Sequence, residues 1–148
     1  MIYRTILLIS IITINSVAQL YSQDIEINDN QVLIDKKPVL KCEKINATEY
    51  SFYTLDKEDE LLMIKFYDNG TPKYLDDDYF VLNFLIEKVK IESKNIGKVI
   101  QGLGLNANKN MKKLIEWLVK EKVLTTEGQI NIDKLDVFKQ KYHEQLFH

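Results

Sequence analysis

The apolar residues change period once along the chain, near Ser93, and that change sets the fold class. Upstream, short runs alternate apolar and polar residues. Downstream, apolar residues recur three and four positions apart. A period of two turns one side of a strand toward a core, and a period near 3.6 does the same for a helix. Strands first and helices afterwards predict an α+β domain, with the helices packed on one face of a mainly antiparallel sheet.

The strand runs are Asp24–Ile27, Val32–Ile34, Val39–Ile45, Tyr50–Leu55, Leu61–Tyr67, Tyr79–Phe84 and Ile86–Ile91, which predicts about six or seven strands. Turn clusters punctuate them: Asn28-Asp29-Asn30, Asp35-Lys36-Lys37-Pro38 and Asp68-Asn69-Gly70-Thr71-Pro72. Asn-Gly accepts the positive φ of a tight turn, so the third cluster is a strong turn signal. The helical part predicts about three helices. Ser93 would cap the first, carrying Ile96, Val99, Ile100 and Leu103. Asn106 or Asn108 would cap the second, with its stripe Met111, Leu114, Ile115, Leu118 and Val119. The third begins near Asn131 or Ile132 and carries Leu135, Phe138, Tyr142 and Leu146.

The first residues belong to another class. Arg4 precedes an uncharged, Ile- and Leu-rich stretch from Thr5 to Val17, followed by Ser16-Val17-Ala18 with small residues at both ends. A basic head, a short apolar run and a small-x-small site predict a secretory signal peptide over residues 1–22. Cleavage after Ala18 fits best, with Ser22 as the alternative. Residues 23–148 then form a single α+β domain, large enough to fold on its own core. The expected location is periplasmic or extracellular. No later apolar run is long enough for a membrane span. One cysteine, Cys42, excludes an internal disulfide.

Charge narrows the partners. The full chain carries a net −2; Arg4, the one arginine, would leave with the signal peptide, and 19 lysines against 22 acidic residues then give the remaining chain a net −3. A chain without the residue that reads guanine and phosphate bidentately is poorly suited to nucleic acid. This opposes a helix-turn-helix reader built from the C-terminal helices. The sequons Asn46-Ala47-Thr48 and Asn69-Gly70-Thr71 would carry glycans in a eukaryotic secretory pathway. The sparse cysteine usage suggests a bacterial setting instead.

Residues for chemistry are few. The two histidines, His143 and His148, lie in a tail expected to fray, and no Gly-x-Ser-x-Gly surrounds Ser22, Ser51 or Ser93. With Glu144 they form a weak zinc set, read as solvated tail residues. Asp76-Asp77-Asp78, with Asp68 and Asn69, invites calcium, although consecutive aspartates cannot all face one ion. The loop Val123–Lys134 has an EF-hand's Gly128 at its sixth position, yet Val123 and Lys134 stand where the first and last ligands belong. No phosphate-binding glycine loop is present. Cys42 shares a strand face with Leu40 and reads as a core residue.

The aromatics are unevenly placed. Alternation sends Leu62, Ile64 and Phe66 one way and Tyr67 the other, with Tyr53 and Tyr79 as candidate companions of Tyr67; the alternative is that these rings fill the sheet core or cover it on the solvent side. We therefore expect a non-enzymatic, cofactor-free binding module. Its expected surface is Tyr53, Tyr67 and Tyr79, and its partner a protein or cell-envelope component. Two other classes stand beside it. One is a small-ligand carrier with a cavity between sheet and helices. The other is a hydrolase using carboxylates such as Glu58, Asp59 or Asp76 to Asp78.

Overall fold

A computed structural model of the chain describes residues 22–71, 73–99 and 106–146. The predicted signal peptide, up to residue 21, and its expected cleavage site at Ala18 therefore lie outside the described residues, as do Ile100, Leu103 and His148. Seven antiparallel strands form one sheet in sequential order: β1 (Ile25–Asn28), β2 (Gln31–Ile34), β3 (Lys37–Asn46), β4 (Glu49–Thr54), β5 (Glu60–Tyr67), β6 (Tyr79–Phe84) and β7 (Val89–Ser93). Two α-helices follow, α1 (Ala107–Lys120) and α2 (Ile132–Tyr142). The α+β layout predicted from the change of period is present.

Tight turns set the register. Asp29 and Asn30 join β1 to β2 with φ of 48° and 60°, and Asp35 and Lys36 join β2 to β3 with φ of 49° and 67°. Two consecutive residues at positive φ match the twist of a two-residue hairpin, and Asp and Asn tolerate that conformation best. The first hairpin takes both of its turn residues from that pair, and the second takes Asp35. Asn69 and Gly70 adopt φ of 50° and 73°, as their pairing predicts. The longer loop to β6 then makes a 3-10 turn at Leu75–Asp77.

One sheet face is the core. Val32, Ile34, Leu40, Cys42, Phe52, Leu62, Ile64, Phe80, Leu82, Phe84 and Ile91 are all buried there. The α1 stripe of Met111, Leu114, Ile115 and Leu118 covers them, with Leu135 and Phe138 of α2. The helices sit toward opposite edges of the sheet, α1 against β1 and α2 against β7. Trp117 joins the layers: its ring lies 6.1 Å from Phe80, 4.7 Å from Phe138 and 4.8 Å from Tyr142. Edge-on aromatic contacts of this kind add about 0.5–1.5 kcal/mol each beyond the area they bury.

Three expectations are corrected. Two α-helices are present among the described residues, and the described part of the segment after Ser93, as far as Val99, holds a 3-10 turn at Ile96–Lys98 in place of an α-helix. The Ser93 hydroxyl accepts from the Asn95 backbone N–H at 3.2 Å and turns the chain, while Gly97 adds no helix preference. Ile86 does not start the last strand. It lies in the β6–β7 turn with 53% of its surface exposed, and Val89 begins β7. The tail directly after α2 is held at His143 and Glu144 rather than free there. His143 and Glu144 dock on the edge of β7, through the Glu92 N–H to His143 Nδ1 at 3.0 Å and the Glu144 N–H to the Glu92 carbonyl at 2.8 Å. Asn131 does cap α2, its side chain accepting from the Lys134 N–H at 3.1 Å, whereas Asn106 makes no side-chain cap to α1.

Candidate functional site

The sheet face opposite the helices carries the candidate residues. Strand alternation that buries Phe52, Phe66 and Phe80 inward sends Tyr53, Tyr67 and Tyr79 outward. Tyr67 and Tyr79 are register partners on β5 and β6. Their rings stack with centroids 4.7 Å apart and planes 5° from parallel. The Lys65 ammonium lies 5.5 Å from the Tyr67 centroid, a cation–π contact on the same pair. Lys90 bridges to Glu92 beside Tyr79, and Glu49 pairs with Lys65 at 3.8 Å. Burial first, and then the neighbouring Tyr67 and Glu92, raise the Tyr79 hydroxyl above its ordinary pKa. The pair is an aromatic block with charged neighbours.

The structure does not bring Tyr53 to that pair. Tyr53 faces Glu60, at the start of β5, and Tyr67 ends the same strand. Seven residues of strand place them on the order of 20 Å apart. The two stacked tyrosines also differ, Tyr67 being half-buried and Tyr79 only 8% exposed. The expected three-tyrosine surface is thus two separate places on one face. Alternation along one strand gives the side of Tyr67, but the distance between the places needs the register.

Around Tyr53 the outer face forms a shallow polar groove of about 490 Å³. Asp29, Asn30, Gln31, Lys41, Glu43 and Glu58 contribute to it. Glu58 sits at φ 56° and forms an ion pair with Lys41, which holds its carboxyl below the ordinary range. The Tyr53 hydroxyl reaches Glu43 at 3.4 Å. Farther in, the Ser51 hydroxyl donates to Glu60 at 2.7 Å.

The candidate carboxylates do not converge. Glu58 lines the groove beside Tyr53, whereas Asp59 lines a second one of about 400 Å³ with Leu55, Ile86 and Gly128. Asp76 to Asp78 lie beyond the far end of β5. There, Asp77 accepts from the Thr71 hydroxyl at 2.7 and 2.9 Å, and the Asn69 side chain donates to the Asp77 carbonyl at 2.8 Å. Asp78 is buried, and its Oδ1 has no hydrogen-bond partner among the described residues. Burial, followed by the charges of Asp77 and Asp68, raises its carboxyl above the ordinary range. Among the described residues no group of three or more His, Cys, Asp or Glu is placed to hold a metal ion.

Cys42 lies on the inner face, 3% exposed, and burial pushes its thiol up to about 11. A thiol so protonated is a poor nucleophile. A third groove, of about 550 Å³, opens between Ile25 of β1 and Val119 of α1. It lies at the rim of the sheet–helix interface, the place closest to the cavity a carrier would need. No described helix is long and apolar enough to cross a membrane. Comparison with protein-family models, curated proteins and solved structures returns no match for this chain.

Proposed function

We propose that this chain is an exported, non-enzymatic binding module that engages a protein or cell-envelope component through the sheet face opposite its helices. One observation carries the reading. Both helices pack on the inner face, and the outer face keeps a stacked Tyr67–Tyr79 pair with Lys65 beside it. Tyrosines supply large, rigid contact area at low entropic cost, and surrounding charges select the partner. The separate groove at Tyr53 gives the same face a second, polar contact point.

The test is capture of partners by the tagged domain from the envelope and secreted fractions of its own cells, read by mass spectrometry. Tyr67→Ser should remove a stoichiometric partner while the circular dichroism spectrum is kept. Tyr53→Ser, tested separately, reports on the groove. A partner retained at full stoichiometry by both variants would exclude this face. A folded domain that captures nothing would redirect attention to the β1–α1 groove and a small ligand.

A further inference from the structure

The edge strand β7 is covered by the chain's own tail, at His143 and Glu144. Glu92 gives its N–H to His143 Nδ1 at 3.0 Å and takes the Glu144 N–H on its carbonyl at 2.8 Å. The Glu144 carboxylate accepts from the Lys94 N–H and, at 3.1 Å, from the Ser93 hydroxyl. These are the groups that an open sheet edge would offer to another chain. Among the described residues, His143 and Glu144 make these contacts to the edge, His143 through a side-chain atom, so the described cover is short.

The edge beneath is self-complementary. The Glu92 N–H and carbonyl point away from β6, and by the same parity so do those of Lys90. Antiparallel pairing of β7 with a second β7, centred on Ile91, would set Lys90 of each copy opposite Glu92 of the other. Those residues would form the hydrogen-bonded positions of the new ladder, and their side chains would lie on one face with opposite charges abreast. Glu92 would exchange the Lys90 partner of its own chain for the same residue of the second copy. A two-fold axis through Ile91 closes the assembly at two chains.

We propose that the tail from His143 is a releasable cover on β7, and that its release lets a second copy of this chain pair there to form a continuous sheet. The inference is independent of the outer-face reading, since it concerns the strand's edge.

Sedimentation of the full chain and its variants at micromolar concentration tests it. The unaltered chain should sediment as a monomer. His143→Ala combined with Glu144→Ala, and separately a chain stopped after Tyr142, should double the sedimenting mass. Lys90→Pro, added to either, should restore the monomer, because proline removes an N–H that faces away from β6 and leaves the β6–β7 ladder whole. Folded variants that stay monomeric would overturn the proposal. So would a dimer that survives Lys90→Pro, or an unaltered chain that already pairs through β7.

Discussion

The Asn110 side chain on α1 donates to the hydroxyl of Tyr50 on β4 at 3.2 Å, and both residues are 1% exposed. This polar contact ties the helical layer to the middle of the sheet, inside an otherwise apolar core. Its value lies in fixing how α1 sits, since apolar stripes alone tolerate sliding. The Tyr50 ring meanwhile meets Phe66 edge-on at 5.9 Å.

Tyr50→Phe keeps that ring contact and deletes the hydroxyl. The expected cost is about 1–2 kcal/mol, the usual range for breaking a buried hydrogen bond. In a domain of this size that lowers Tm by roughly 4 °C per kcal/mol. Tyr74→Phe, at a site 59% exposed, is the control and should leave Tm unchanged. Differential scanning calorimetry of both variants decides it. Equal Tm values would mean that the Asn110–Tyr50 contact contributes nothing to stability.

Gly70 and Gly128 allow a cleaner comparison. Both sit in the left-handed region, at φ 73° and 82°. A Cβ on Gly70 would meet nothing within 4 Å, whereas one on Gly128 would lie 2.6 Å from the Val39 carbonyl oxygen. Gly70→Ala should therefore cost only the backbone strain, about 1 kcal/mol. Gly128→Ala adds a collision with the β3 backbone and should cost about 3 kcal/mol or more. Urea midpoints measure the difference, and similar losses at the two sites would refute the close approach of the α1–α2 loop to β3.

The thiol of Cys42 predicts a pH dependence at the alkaline end. Its folded pKa is raised from 9.0 to about 11, so the folded chain holds its proton where the unfolded chain gives it up. The contribution to stability is fully present below pH 9 and is lost as pH rises through about 11. Two pH units of separation correspond to about 3 kcal/mol at most. Cys42→Ala should lower stability at neutral pH by leaving a small void, and should flatten its decline between pH 9 and 11 relative to the unaltered chain. A parallel decline in the two proteins would count against the burial argument. The native thiol should also resist modification by an aromatic disulfide reagent until the protein unfolds.

Much of the sheet was legible because its signals are local. Alternation at Leu62, Ile64 and Phe66 fixes which side is buried, and Asp29-Asn30 and Asn69-Gly70 fix where the chain reverses. The errors fall where local signals compete. Ile86 reads as strand by composition, yet the β6–β7 turn claims it and leaves it exposed. Ser93 reads as a helix cap, yet its hydroxyl serves the next turn and the tail. At the candidate site, parity within one strand turns Tyr67 away from the core, and the side taken by Tyr53 and Tyr79 needs the pairing of their own strands. Their division into a stacked pair and a distant groove depends on register across β4, β5 and β6, which no single strand encodes. The docking of His143 and Glu144 joins residues 51 apart in sequence and left no periodic trace.

The sequential strand order gives the chain an uneven folding schedule. Each strand pairs with one already made, so the sheet can zip hairpin by hairpin as the chain is delivered, with little loop entropy to pay at any step. The covering layer obeys a different clock. α1 settles over β1, the earliest strand, and α2 over β7, so neither can act until nearly the whole chain is present. In the interval Tyr50, Phe52, Phe80 and Phe84 stand on a bare apolar sheet, the kind of intermediate that sticks to its neighbours. A chain interrupted before α1 would remain at that stage, and one interrupted between the helices would lack Phe138, a main packing partner of Trp117.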